Sequence, residues 1–270
     1  MENLMKATLH LRQKERIRSF SVGKLELRQL LELLQERSSA AAELEISHWV
    51  KPETKSDAEY EAEKNEVRDG FVLRPTVTGI DGRELYGTIS ELFASPNFPE
   101  EVAQLYVNTE IPLKTKFNYQ PGNCFQLFLD FGKPAVLNFS IMPSTETANE
   151  STFSVNGRNA TWVNGVFSEV VKFISQKRSA HSWLHRHSIY DLLLWLIGFP
   201  VSFWLCSKAS PLISFLSDSS SEFLKAAAYF YVFIISISLL RVLFHYARWI
   251  WPLVEYRSES NRSIKHRATL

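Results

Sequence analysis

The string "IYDLLLWLIGFPVSFWLC", residues 189–206, constrains this chain more than any other feature. It carries one acid, Asp191, near its start and one proline, Pro200, past its middle, and has little else that water solvates well. A helix needs about 20 mostly apolar residues to cross roughly 30 Å of hydrocarbon, and residues 189–207 supply 19. A second run, "FLKAAAYFYVFIISISLLRVLF" at 223–244, holds 15 uncharged residues between Lys225 and Arg241. The Ser-rich "SKASPLISFLSDSSSEF" between them reads as a polar turn. The pattern predicts a transmembrane hairpin over 181–257, with spans at about 189–208 and 223–244. The rival is a pair of buried helices in a soluble core. Trp183, Tyr190, Trp195, Trp204, Trp249 and Trp251 argue against it, because they cluster near the span ends, where amphipathic rings settle at a membrane–water interface.

The flanks predict orientation. Lys172, Lys177, Arg178 and Arg186 precede the first span with no acid among them, and Arg248, Arg257, Arg262, Lys265 and Arg267 follow the second against Glu255 and Glu259. The turn balances Lys208 and Lys225 against Asp218 and Glu222. Cation-rich flanks stay in the cytoplasm, so both termini of a multi-pass protein are expected there. The start, "MENLMKATLHLRQKERIRSF", lacks the apolar core of a signal peptide. Sequons at Asn138, Asn149, Asn159 and Asn261 are then chance matches, and glycosylation of any of them would overturn the topology.

Three features inside the spans carry specific expectations. Asp191 and Arg241 fall at similar depth, so they are candidates for an intramembrane ion pair; alternatively Arg241 snorkels to lipid phosphate with His245 and Arg248, which share its helix face. Pro200 removes the hydrogen bond to the Leu196 carbonyl, which predicts a kink near Gly198 and Pro200. Ala226, Ala227, Ala228, Ser236 and Ser238 are small enough to allow close helix–helix contact, within the hairpin or between copies.

Residues 1–180 read as a cytosolic α+β domain, and 258–270 as a basic cytosolic tail. "KLELRQLLELLQER" has the leucine spacing of an amphipathic helix, and "TWVNGVFSEVVKFISQKR" gathers Trp162, Val166, Phe167, Val170, Phe173 and Ile174 on one side. "LEISHWV" alternates weakly as a strand would, and "PETKSDAEYEAEKNE" reads as a solvated loop or short helix. In "FVLRPTVTGIDGRELYGTISELF" two β-rich runs flank Asp81 and Gly82, which predicts a type I′ hairpin. "FPEEVAQLYVN", "FQLFLDFGKPAVLNFSI" and "STFSVNGRN" supply further strands.

Motifs for chemistry are scarce. No glycine-rich phosphate loop occurs, and the formal charge of +1 gives no global attraction to nucleic acid. His181 and His185, four apart, have metal-ligand spacing, but no third ligand lies near before Asp191, so headgroup-level histidines are the simpler reading. Cys124 is expected to be a buried strand residue and Asp130 a turn cap. Lys114 and Lys116 with Phe117 and Tyr119 make only a thin basic-aromatic patch. No cofactor, metal, catalytic residue or direct nucleic-acid motif is assigned.

A cytosolic α+β domain followed by a two-span hairpin and a short basic tail resembles the two-transmembrane effectors of bacterial phage-defence systems, including those paired with retron reverse transcriptases. The likeness covers the chain's architecture and the segments "WLHRHSIYDLLLWLIGFPVSFW" through "RVLFHYARWIWPLVEY". It carries over no individual residue. It implies an effector of the bacterial inner membrane, held silent by a regulatory protein or ribonucleoprotein, a reverse transcriptase with its RNA/DNA product, which on infection damages that membrane and stops growth. Two spans cannot enclose a pore, so the lipid bilayer and further copies of the chain become its partners. The alternative is a membrane-anchored binding or scaffold module, non-enzymatic, whose cytosolic domain recruits a partner.

Overall fold

A computed structural model describes residues 10–136, 143–216, 222–258 and 264–266. It shows an α+β region followed by a hairpin of two long apolar helices. The chain divides into two compact units, with boundaries unlike the expected 1–180, 181–257 and 258–270. The sheet-bearing unit takes Met1–Gly132, Asn149–Ser179 and Val254–Lys265, and the hairpin unit takes Lys133–Ala148, Ala180–Leu253 and His266–Leu270. Asn138, Asp218, Asn261, Arg262, Arg267 and the "VLNFSI" end of the expected third strand lie wholly or largely outside the described residues.

The first unit is built on an antiparallel sheet ordered β1-β7-β6-β5-β3-β4, from β1 (Leu11–Arg16), β3 (Thr76–Gly79), β4 (Glu84–Tyr86), β5 (Val102–Asn108), β6 (Asn123–Asp130) and β7 (Thr152–Gly157). Side chains alternate across a strand, and here one set, Val77, Leu105, Leu127, Leu129, Phe153 and Val155, is buried. Helix α1 (Lys24–Ser47) buries Leu27, Leu30, Leu31 and Leu34, the i, i+3, i+4, i+7 stripe that makes a helix amphipathic. Helix α5 (Ala160–Gln176) adds Trp162, Val163, Val166, Val170 and Ile174. The other face of the sheet is only half-buried: Thr76, Tyr106, Gln126, Phe128, Thr152 and Ser154.

Several local expectations change. "LEISHWV" is no strand: residues 44–47 are the last turn of α1, whose helical run outweighs a weak alternation. The acidic stretch forms α2 (Asp57–Gly70), started by a reciprocal Ser56–Glu59 cap. The turn at Asp81-Gly82 is not type I′, since Gly82 alone has positive φ (79°) there. Gly79 pairs with Arg83 around a three-residue loop, the type I turn plus left-handed glycine that also reverses a hairpin. "TISELF", read as β-rich, is α3 (Ile89–Ala94), capped by Thr88 and Glu91. Between β5 and β6 lies α4 (Glu110–Phe117). Of the sequons, Asn149 is buried and donates to the Asp130 carbonyl, and Asn159 caps α5 by accepting from Trp162 N–H.

A short strand after β1, β2 (Phe20–Gly23), starts a separate parallel pair with the chain's last strand, β8 (Val254–Arg257). Val254 and Tyr256 are buried, and the Tyr256 ring meets Phe131 edge-on at 5.9 Å. The residues following the second long helix therefore return to the first unit.

Candidate functional site: the apolar hairpin and its polar base

The first apolar helix spans Ile189–Phe215 and the second, α8, Glu222–Ile250. Both are long and apolar enough to cross a membrane, and only 17% and 11% of their most apolar stretches are buried within the chain. Core helices of a soluble protein would be mostly covered. Here Trp195, Phe203, Phe215, Phe223, Phe230, Leu239 and Leu243 face outward. The first helix continues past the expected end near 208, to Leu216, with Pro211 inside it, so most of the Ser-rich stretch is helical.

The first helix is composite: α6 (Ile189–Leu193), a π turn (Leu194–Gly198) and α7 (Phe199–Leu216). Phe199 N–H donates to the Leu194 carbonyl five residues back, so the ladder widens immediately before Pro200, where an N–H is missing. Gly198 matters here for space. A β-carbon on it would sit 2.6 Å from Leu240 Cδ2 and 2.9 Å from Leu194 Cδ1. One turn on, Ser202 donates to the Gly198 carbonyl at 2.7 Å, and Ser236 Oγ donates to Ser202 Oγ at 2.5 Å across the hairpin. Phe233 packs against Phe199 and Phe203, with centroids 6.0 and 5.6 Å apart. Among the candidate contacts, then, Ser236 is used within the hairpin, Ala228 is half-buried, and Ala226, Ala227 and Ser238 stay exposed.

This seam makes a prediction. With Ser202→Cys and Ser236→Cys in a background lacking Cys124 and Cys206, oxidation will close a disulfide across the hairpin. Gly198→Ala will reduce the yield slightly, since leucine tips can rotate away. Gly198→Val will reduce it severalfold, because overpacking at a helix contact costs about 1–3 kcal/mol. Equal yields in all three would show that the helices do not meet at Gly198.

At the base of the hairpin, polar groups concentrate. Asp191 Oδ1 accepts from Ser144 Oγ at 2.7 Å, while Ser188 N–H donates to the Ser144 carbonyl. Ser144, which sequence reading did not single out, thus supplies the hydrogen bond described at Asp191. Arg241 is near: the Tyr190 hydroxyl lies within electrostatic reach of both Arg241 and Asp191. Tyr190, Leu184 and Phe244 form the apolar plug, with the two rings 5.2 Å apart. Arg248, 3% exposed, donates from Nε to the Leu184 carbonyl at 2.9 Å and lies over the Phe244 ring. It shares its helix face with the buried His245, and Arg248 Nη2 and His245 Nε2 have no hydrogen-bond partner among the described residues.

The histidines diverge. His181 stacks on Trp251 at 4.7 Å, and His187 is exposed beside Ser188. His185 lies in a short 3-10 turn (Ser182–His185), 3% exposed, with Nδ1 2.8 Å from Thr147 Oγ1 and Nε2 2.6 Å from the Trp251 carbonyl. A carbonyl only accepts, so the proton sits on Nε2 and Nδ1 accepts from Thr147. Burial, reinforced by the Arg248 charge, holds the imidazole down at about 4, and it is neutral at pH 7. No group of three or more metal-ligating side chains occurs among the described residues.

Elsewhere, burial pushes the Cys124 thiol up to about 11, which disfavours a nucleophilic thiolate. Asp130 accepts from Gly132 N–H as a turn cap. In the basic-aromatic patch, Lys114 pairs with Glu110 and Tyr119 donates to Glu45; the side chains of Lys116 and Phe117 lie outside the described residues. Neither Ser144, Thr147 nor Ser202 carries a sequence signal beyond being a small hydroxyl near or within an apolar segment. Comparisons with family models, curated proteins and solved structures return no match.

Proposed function

We propose that this chain is a membrane-anchored effector of a bacterial antiviral system, whose hairpins, released by partners, assemble in the inner membrane, disrupt it and cause abortive infection. The observation carrying this reading is the hairpin's outward apolar surface, of whose most apolar stretches only 17% and 11% are buried among the described residues. A hairpin returns the chain to the side it left, and the pairing of β8 with β2 supports that path, since 254–257 must lie with the sheet unit. The cation-rich flanks favour the cytoplasm for both termini. Ala226, Ala227 and Ser238, left facing outward, suit contact between copies.

The test is to produce the chain in bacteria without partners and follow growth and a potential-sensitive dye. Depolarisation and arrest that vanish when the hairpin is excised support the effector. Harmless accumulation of the membrane-inserted chain at high level would defeat it. That outcome favours the second reading, an anchored scaffold, for which the half-exposed sheet face is the specific support.

A further inference from the structure

Strand register places an unusual set of side chains on that half-exposed face. On the edge strand β1, Arg12, Lys14 and Arg16 pair with Asn156, Ser154 and Thr152 of β7, opposite in parity to the buried Phe153 and Val155. All three cations are exposed. The row continues inward: Thr152 pairs with Phe128, Phe128 with Tyr106, Tyr106 with Thr76, and Thr76 with Tyr86. One cross-strand level thus carries Arg16 at one edge, Phe128 and Tyr106 further in, and Tyr86 at the opposite edge. Tyr106 and Phe128 meet edge-to-face at 6.5 Å, and Asn108 holds the Tyr106 hydroxyl at 3.0 Å, fixing the ring's tilt. Of the strand acids on this face, Asp130 and Glu84 sit at the level beyond that row, away from Arg12 and Lys14, while Glu110 and Glu45 lie within electrostatic reach of Cys124 on the Arg12 level.

We propose that this face binds single-stranded nucleic acid, with β1 tracking the phosphates and Phe128 and Tyr106 stacking bases. Alternate residues of a strand are on the order of 7 Å apart, a spacing that successive phosphates of an extended strand can match. Strands lie about 4.8 Å apart, so Phe128 and Tyr106 stand roughly 10 and 14 Å inboard of the cations. This separation suits bases lying flat beside a backbone that runs along the edge. Ser154 and Asn156 on β7, between cations and rings, and Gln126 beside Phe128 on β6 offer neutral hydrogen-bonding groups to sugars and base edges. An acidic peptide would use the cations but leave the aromatic row without work, and a duplex would keep its bases from the rings. Arg16 already donates from Nε and Nη2 to the Asn149 carbonyl, so one edge of its guanidinium is committed and the other is left for a phosphate.

The inference does not depend on what the hairpin does, and its test reads binding rather than growth, so the two readings can fail separately. Full-length protein in detergent is titrated against a fluorescein-labelled decamer, as oligo(U) and as oligo(dT), in rising salt. Three phosphate contacts predict a log–log salt slope of about −2. Arg12→Gln with Lys14→Gln, both on an exposed edge, should weaken binding at least tenfold and bring the slope above −1 while melting behaviour is unchanged. Phe128→Leu should weaken binding about tenfold and leave the slope intact, as loss of stacking would. Phe128→Leu without effect, a duplex or poly-Glu bound as tightly as the single strand, or no binding at low salt would each overturn the proposal.

Discussion

Excising residues 180–253 and joining the ends by a six-residue Gly/Ser linker will move this chain completely from carbonate-washed membranes to the supernatant, as a folded protein. The intact chain will stay in the pellet. The geometry for the join is unusually favourable. Ser21 N–H on β2 donates to the Lys177 carbonyl at 2.9 Å, while β2 pairs along its length with Val254–Arg257. The two ends to be joined therefore flank one strand and lie about 10 Å apart, within easy reach of six flexible residues. Simply ending the chain at Ser179 will not do the same. That truncation removes β8 and exposes β2, and it strips away the buried Val254 and Tyr256 side chains. At about 1.5–3 kcal/mol each, their loss takes a large share of the 5–15 kcal/mol that is typical of a domain. The truncated form should be proteolysed or aggregate, although it contains all but the last residue that sequence patterning assigns to the domain. Should the intact chain be washed off by carbonate without detergent, the hairpin would not be membrane-inserted, and the effector reading would go with it.

That contrast shows where sequence was informative. Long apolar runs and helical leucine spacing are redundant signals, and the hairpin, α1 and α5 were legible because many residues repeat the same message. The β8 strand was not. "VEYR" follows an apolar helix directly, and its two buried residues look like the end of that helix unless its parallel partner, more than 230 residues earlier, is known. The same holds for β1, whose charged "LRQKER" is not singled out as a strand because one side of an edge strand answers to solvent. At the hairpin, Gly198 and Pro200 mark the irregularity from sequence alone, since each acts through local backbone chemistry. The hydroxyl partners do not: Ser144 at Asp191, Thr147 at His185 and Ser202 at Ser236 depend on which segments the fold brings together. Serines of that kind are common, and only tertiary contact distinguishes the used ones.

Acidification should loosen the base of the hairpin, and His185 should account for most of the effect. Its imidazole is held neutral between the Thr147 hydroxyl and the Trp251 carbonyl, with its pKa lowered to about 4 by burial. In the unfolded chain it would titrate near 6.5. Above pH 6.5 both states are neutral and the native contact is fully present. Between 6.5 and 4 the unfolded state takes up a proton that the native state resists, so stability falls with pH across that window and levels off below it. The depression corresponds to about 3 kcal/mol when complete. Protonation puts a hydrogen on Nδ1, yet Thr147 can turn its hydroxyl to accept it. The penalty is therefore desolvation of the cation beside Arg248, not loss of geometry. His185→Gln keeps a donor for the Trp251 carbonyl and an acceptor for Thr147 but cannot titrate. In detergent, limited proteolysis of the wild type should accelerate steeply from pH 6.5 to 4, and the glutamine variant should show a much shallower rise. His181, stacked on the same Trp251, is present in both proteins, so the difference between the two profiles isolates His185. Parallel profiles would mean that the proton goes elsewhere and that the His185 contacts contribute nothing pH-dependent.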